Sequence, residues 1–272
     1  MSIKSMKKGW FLLPVAVLMV VITALVGCGG NLAGTITEDG STTVQPLAQA
    51  LADAFHEKHP DVTITISGGG TATGINDCNS GVVDIGAASR DLKAGEPALV
   101  THILARDGIG IITNPSNPIT GLTMAQVVDI FSGNITNWQD VGGPNHAIDV
   151  FVREVGSGTR TAFQELVMGS ARIKDAAMQQ NSSGAIKQAV AGDSYGIGFE
   201  SLAYLDSSIK ALAINGIAAT QANAKDGTYP IVRPLYFMTK EQPTGVVKDF
   251  IDFCLSSEGQ QIVADNGYIA VS

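Results

Sequence analysis

Residues 35–46 read Thr-Ile-Thr-Glu-Asp-Gly-Ser-Thr-Thr-Val-Gln-Pro and predict a strand, a turn and the start of a helix. Thr35–Thr37 is a short strand rich in β-branched residues, and Gly40–Thr43 is a turn. Pro46 suits the first turn of a helix because it lacks an N–H that would otherwise go unpaired. Apolar residues recur at helical spacing from Leu47 to Phe55, so the helix runs to Lys58. This order is typical of an α/β fold.

The same alternation continues through the chain, with glycine and proline between the segments. In the first part the predicted segments are a strand at 62–66, a short helix from 71 to 75, and strands at 82–88 and 109–113. A second unit follows Pro118. It contains a helix capped by Thr123, a strand at 149–153, a helix at 159–168 with Phe163, Leu166 and Val167 inward, a helix at 185–191, a strand at 195–199, an extended segment at 229–237 and two short helices within 246–265.

The first thirty residues have the layout of an export signal. Lys4, Lys7 and Lys8 precede an uncharged apolar run, and Cys28 stands where that run gives way to polar sequence. A basic start, a short apolar stretch and small residues at the break predict cleavage after residue 27. An uncleaved membrane helix is the alternative, although the run is short and contains Pro14. In both cases the globular part lies outside the cytoplasm.

Charge and cysteine usage exclude several classes of protein. Removal of residues 1–27 takes away three lysines and no acidic residue, so the net charge changes from −8 to about −11. Such a charge argues against nucleic acid or anionic lipid as partners. Cys78 and Cys254 lie in apolar helical patterns, which favours buried free thiols over a disulfide. No cysteine and histidine cluster is present, so we predict neither a metal nor a cofactor.

Three glycine-flanked turns precede helices and offer donors to an anion. They contain Ser41, Thr42 and Thr43, then Thr71, and then Ser157, Gly158 and Thr159. A helix start has unpaired backbone N–H groups and partial positive charge, and hydroxyls beside it add further donors. Ordinary helix capping would explain any one of these turns. Their recurrence, with Arg90 and Arg153 at strand ends, favours convergent binding of a tetrahedral oxyanion.

Enzymatic motifs are missing at the places where they would be expected. Gly68–Thr71 is not followed by the lysine of a nucleotide-binding loop, and no dinucleotide fingerprint follows the first strand. Ser157 does not stand in the Gly-x-Ser-x-Gly register of a nucleophile elbow. The sequence therefore favours a binding protein over an enzyme.

Several segments closely resemble the substrate-binding lipoproteins of ABC-type phosphate importers. They span nearly the whole chain after the signal, in the order of that family. The segments are Asp39-Gly-Ser-Thr-Thr-Val-Gln-Pro46, Ser67-Gly-Gly-Gly-Thr-Ala-Thr-Gly-Ile75, Asp84-Ile-Gly-Ala-Ala-Ser-Arg-Asp-Leu92, Leu122-Thr-Met-Ala-Gln-Val-Val-Asp-Ile-Phe131, Asn137-Trp138, Arg153-Glu-Val-Gly-Ser-Gly-Thr-Arg160 and Phe250-Ile-Asp-Phe-Cys-Leu-Ser-Ser-Glu-Gly-Gln260.

The resemblance implies a type II periplasmic-binding-protein fold with two lobes joined by a two-strand hinge, each lobe a mixed sheet flanked by helices. Residues 28–111 and 232–272 would form lobe 1 and residues 112–231 lobe 2, although a single domain would also fit the pattern. It further implies a monomer that carries phosphate to a membrane permease and is anchored by lipid on Cys28. The phosphate-binding residues implied are Ser41, Thr42, Thr43, Thr71, Ser89, Arg90, Arg153, Ser157, Gly158 and Thr159.

Two departures from the family pattern bear on selectivity. Long-chain members place an aspartate, which accepts a phosphate proton, where this chain has Ser89, although Ser89-Arg90 is common in shorter relatives. Those members also have an acid at the position of Val155, so we expect Glu154 or another group to orient Arg153. Other readings therefore stay open: a binding protein for sulfate, molybdate or tungstate, an exported phosphatase, or a phosphate sensor or adhesin without a transporter.

Overall fold

One mixed sheet runs through the chain in this computed structural model, which describes residues 32–271. The strands are β1 (Gly34–Gly40), β2 (Val62–Ile66), β3 (Ile85–Ala88), β4 (Val100–Thr113), β5 (Gly121–Leu122), β6 (Asp149–Arg153), β7 (Met178–Gln180), β8 (Gly196–Ser201), β9 (Lys210–Ala211), β10 (Ala213–Ile214) and β11 (Val232–Thr239). The helices are α1 (Gln45–Lys58), α2 (Thr71–Ser80), α3 (Met124–Ser132), α4 (Gly158–Phe163), α5 (Ser183–Ala191), α6 (Gln221–Lys225), α7 (Gly245–Leu255) and α8 (Ser257–Asp265).

The order of strands explains where the site lies. The main path is β2-β1-β3-β11-β4-β8-β6-β7, with β9 also on β4. β4 pairs with β11 up to Gly108 and with β8 from Ile109 onward. β1 and β3 run parallel to each other, as do β6 and β8. The three antiparallel pairings β3–β11, β11–β4 and β4–β8 reverse the strand direction between these pairs, so the pairs point toward each other. Their carboxyl ends therefore meet where β4 changes partner, which is where ligands gather in α/β folds.

The buried apolar residues form two main clusters on this sheet. One lies between β1–β3, β11 and the helices α1, α7 and α8, and includes Ile36, Phe55 and Phe250. The other lies against β6 and β8 and includes Phe163 and Phe199, whose rings stack 4.1 Å apart. Cys78 and Cys254 are free and buried, as the sequence predicted.

Most element predictions are confirmed, and the differences have local causes. Thr123 caps α3 through a reciprocal capping box with Gln126. β4 begins at Val100, whereas the prediction began at 109. The prediction missed the first half of the strand because exposed and partly buried residues alternate at its start and interrupt any continuous apolar run. The prediction that Leu166 points inward is wrong: its side chain is 45% exposed. A π-helical turn at Gln164–Met168 follows α4 and changes the register of the side chains there.

The predicted export signal, residues 1–27, and Cys28 lie outside the described residues. Within residues 32–271, no helix has the length and apolar character needed to cross a membrane.

Candidate anion-binding site

Four helix starts meet where β4 changes partner. The turn Ser41–Val44 leads into α1, Gly70 precedes α2, and Ser157 and Ser182 cap α4 and α5 through their side chains. Each start leaves backbone N–H groups without an intrahelical acceptor, and each carries part of the positive end of a helix dipole. The hydroxyls between these four helix starts form one group, the hydroxyl cluster. Its members are Thr42, Thr43, Thr71, Ser89, Ser157, Thr159 and Ser183, all of them buried.

Hydroxyls from distant parts of the chain contact each other directly. Thr43 Oγ1 lies 2.9 Å from Thr159 Oγ1 and 3.2 Å from Ser183 Oγ. The backbone N–H of Ser183 donates to Thr42 Oγ1 at 3.2 Å. Tyr204 Oη donates to the carbonyl of Thr42 at 2.5 Å. This bond fixes the orientation of the peptide between Thr42 and Thr43, and because that peptide is trans, the N–H of Thr43 points away from Tyr204. Rotatable hydroxyls and a fixed N–H are the donors that an oxyanion needs.

The starts of α2 and α4 and the end of β3 form the other side of the cluster. Thr71 Oγ1 lies 3.4 Å from Ser89 Oγ and accepts from the backbone N–H of Ser89 at 3.2 Å. Gly158 has no room for a side chain, since a Cβ there would lie 2.4 Å from Thr71 Oγ1 and 2.5 Å from Ser89 Oγ. The N–H of Ala72 donates to the carbonyl of Gly156 at 3.1 Å. Glycine at 158 thus allows close backbone approach.

Arg153 ends β6 with its guanidinium in the hydroxyl cluster. Its Nη1 donates to Ser183 Oγ at 3.0 Å, and its Nε and Nη2 donate to the two carboxylate oxygens of Glu154 at 3.1 and 2.9 Å. The neighbouring Val155 is 79% exposed. Glu154 therefore orients Arg153, as expected for a chain that lacks the acid at position 155. These three bonds use three of the five guanidinium N–H groups, which leaves one on Nη1 and one on Nη2 for a tetrahedral oxyanion.

A second buried arginine, Arg233 on β11, also reaches the cluster and was missed by the sequence analysis. Its Nη1 donates to Thr159 Oγ1 at 2.7 Å, and its Nε and Nη2 donate to Asp107 Oδ2 at 3.1 and 2.9 Å. Burial raises the pKa of Asp107, and the charge of Arg233 opposes that rise. The sequence did contain a signal for Arg233, which is a charged residue inside an extended apolar segment. Such a residue is expected to be buried, and a buried charge normally has a partner of opposite charge.

Ser183 was also missed by the sequence analysis. Its Oγ is within reach of Thr42, Thr43 and Arg153, so it lies at the centre of the cluster. Ser182 caps α5, and Ser183-Gly184 begins it, which repeats the serine and glycine pattern found at the starts of α1 and α4. The pattern could therefore have identified it.

Two predicted site residues have a different arrangement. Arg90 is buried, but its Nη1 and Nη2 donate to Glu96 at 2.8 and 2.6 Å, and Nη1 also donates to the carbonyl of Asp91. Its guanidinium is therefore engaged outside the hydroxyl cluster. Ser41 contributes through its backbone, since its carbonyl accepts from the N–H groups of Val44 and Gln45 and closes the turn before α1. The remaining predicted residues belong to the cluster or, like Gly158, lie against it.

The arrangement can hold a small anion and strip it of water. Hydroxyls, helix-start amides and two guanidiniums form a buried set of donors. Each arginine has its own carboxylate partner, Glu154 or Asp107, so neither charge is left uncompensated before a ligand arrives. Among residues 32–271 there is no group of three or more histidine, cysteine, aspartate or glutamate side chains that could hold a metal ion.

Several known proteins that are similar to this chain in sequence are described as phosphate-binding proteins. A family model described as a PBP superfamily domain matches residues 29–258. The phosphate-binding protein PstS of Bacillus subtilis (strain 168) is 34% identical over 247 residues, which cover 88% of this chain and 81% of the relative.

Solved structures agree with the sequence comparison. A putative phosphate ABC transporter substrate-binding protein from Clostridium perfringens, with bound phosphate, is 42% identical, has a TM-score of 0.85, and is matched over 88% of this chain and 100% of that chain. An ABC-type phosphate transport receptor from Vibrio cholerae is 34% identical with a TM-score of 0.72, over 86% and 99% of the two chains. The fold class predicted from sequence is confirmed: the chain belongs to the PBP superfamily and, within it, to the PstS family of phosphate-binding proteins.

Proposed function

We propose that this chain captures inorganic phosphate in the hydroxyl cluster and delivers it to an ABC importer, as a binding protein and not an enzyme. The observation that carries the proposal is the convergence of Thr43, Thr159 and Ser183 with the guanidinium of Arg153 in one buried cluster. The phosphate-bound relative from Clostridium perfringens, matched over its full length, supports the choice of anion. Hydroxyls and helix-start amides suit an anion that remains partly protonated, because hydroxyls can both donate and accept.

Binding by closure of two lobes follows from the same arrangement. The proposed lobes are residues 28–111 with 232–272, and residues 112–231, joined where β4 and β11 cross between the two apolar clusters. Hydroxyls that now contact each other across this boundary, such as Thr43 and Thr159, would part to admit the anion and then close on it. Micromolar affinity needs only about 8 kcal/mol net, so much of the gross interaction can be lost to dehydration.

The cellular setting is part of the proposal. The signal and Cys28 would place the protein outside the cytoplasm as a lipid-anchored monomer, beside the permease that receives the phosphate. Mass spectrometry of the wild-type chain and of the Cys28→Ala variant would test the anchor. The exported wild-type chain should carry a lipid that the variant lacks.

Calorimetric titration of the chain lacking residues 1–27 tests the ligand. Phosphate should bind with micromolar or lower Kd at neutral pH, and sulfate, molybdate and tungstate should bind at least about tenfold more weakly. Sulfate affinity equal to phosphate affinity would instead assign the site to oxyanions in general, which the serine at position 89 leaves open. Absence of phosphate binding would refute the proposal.

A further inference from the structure

Glu200 is a buried carboxyl next to the hydroxyl cluster. It stands near the end of β8, and its side chain has no solvent exposure. Its Oε1 accepts from the backbone N–H of Ser201 at 2.8 Å, while its Oε2 is buried without any hydrogen-bond partner in the part of the chain that the structure describes. A buried carboxylate oxygen without a partner is costly, so its position calls for a reason.

The groups around Glu200 belong to the site. The charges of Arg153 on β6 and Arg233 on β11 act on it, and the Ser183 hydroxyl lies beside it without the geometry of a hydrogen bond. Tyr204 and Tyr268, whose phenols hold the turn before α1, and Asp107 on β4 are further titratable groups packed there. Burial raises the pKa of Glu200, and Arg153 is the main charge opposing that rise.

The charges of this group do not balance when Glu200 is ionised. Arg153 pairs with Glu154 and Arg233 pairs with Asp107, which leaves Glu200 without a cation of its own. The group then carries one net negative charge before a ligand arrives. An oxyanion entering the same dry space would meet this charge at close range, where low dielectric strengthens the repulsion. One proton, placed either on Glu200 or on the anion, removes most of that repulsion.

We propose that Glu200 is a specificity-determining residue, which requires the bound oxyanion to be accompanied by one proton shared between the anion and the Glu200 carboxyl. This inference rests on the proposed phosphate binding. The proton belongs to the pair, since monobasic phosphate beside ionised Glu200 and dibasic phosphate beside neutral Glu200 contain the same atoms. Phosphate can bring this proton from solution near neutral pH. Sulfate cannot, so it must force protonation of Glu200 and binds less well.

The test compares the wild-type chain with Glu200→Gln, which keeps the shape and removes the charge. At about pH 8.5, where free phosphate is mostly dibasic, calorimetry in two buffers of different ionisation enthalpy should show close to one proton taken up per phosphate by the wild type. Its phosphate affinity should fall about tenfold per pH unit in that range. Glu200→Gln should take up almost no proton and should have a phosphate-to-sulfate affinity ratio at least about tenfold smaller.

Glu38→Gln is the matched control, because Glu38 is also a buried carboxyl with unpartnered oxygens, but on β1 beside the other apolar cluster. It should keep the wild-type proton uptake and the wild-type ratio of phosphate to sulfate affinity.

Proton uptake that persists in Glu200→Gln, or a wild type that takes up no proton, would overturn the role of Glu200 but would leave phosphate binding itself unaffected. A wild type that binds no phosphate would refute the proposed function instead. If Glu200→Gln does not fold, a wild type that takes up no proton still overturns the role of Glu200.

Discussion

At the scale of single residues, the two arginines singled out by the sequence have different partners. Arg153 is the last residue of β6, and Arg90 stands two residues after β3. Arg153 reaches Ser183 within the hydroxyl cluster, whereas both terminal nitrogens of Arg90 bond to Glu96. Position along the chain could not separate them, because the difference lies in which carboxylate each guanidinium meets.

Replacing each arginine by lysine should separate these roles. Arg153→Lys should weaken phosphate binding about 30-fold or more, since a lysine cannot contact Glu154 and the anion with the same planar fork. Arg90→Lys keeps a cation for Glu96 and should stay within about twofold of wild type. Calorimetry measures both, and circular dichroism checks that each variant is folded. Equal losses in the two variants would place Arg90 in the site.

Local sequence patterns predicted the hydroxyl donors. They could not predict the site residues that long-range strand pairing brings together. Thr43, Thr71 and Ser157 lie in turns between a strand and a helix, so a short stretch of sequence reveals them. Arg233 and Glu200 enter the site only because β11 and β8 lie on either side of β4. No neighbouring residue in the sequence indicates that placement.

At the scale of elements, the site depends on how closely the start of α4 approaches α2 and β3. Apolar spacing predicted α4. The glycine break before Thr71 indicated where α2 begins, but α2 continues to Ser80, beyond the predicted end at residue 75. Apolar spacing did not reveal the π-helical turn after Phe163 or the close approach at Gly158, since both follow from packing against other segments.

Adding one methyl group at Gly158 should block this approach. Gly158→Ala should weaken phosphate binding at least about tenfold, because its Cβ would overlap the hydroxyls of Thr71 and Ser89. Gly156→Ala is the control, since its Cβ would meet only Ala72 at 3.6 Å. Calorimetric titration of both variants gives the two affinities. Loss of binding in both, or in neither, would contradict the assignment of this contact to the closed cleft.

At the scale of the whole molecule, alternation of strands and helices indicated an α/β protein, and the family resemblance supplied the fold type. The strand order could not be obtained from periodicity. β11 is inserted between β3 and β4 although it follows them by more than a hundred residues, and such pairing depends on the complete chain.

Overall stability should depend on pH through Glu38. Burial, and then the charge of Asp39, hold the pKa of Glu38 well above its usual value. The unfolded chain releases this proton at lower pH, so the free energy of unfolding falls as pH rises from the unfolded pKa toward the raised folded pKa. Below the unfolded pKa this loss is absent.

Glu38→Gln removes the titrating group and should therefore stabilise the protein at about pH 7 but hardly at about pH 3.5. Urea unfolding at both pH values measures the difference. The same gain at both would show that Glu38 acts through packing and not through its proton.

The return of the chain through β11 also sets an order of assembly. The apolar cluster around Phe163 and Phe199 draws on residues 109–231, with Ile269 as its one later member, and can condense early. The cluster around Ile36 needs Leu235, Phe250 and Val263 from the last part of the chain. The amino-terminal strands must therefore stay partly uncovered until residues 235–263 are available to pack on them, and this interval is when aggregation or proteolysis would threaten the newly made protein.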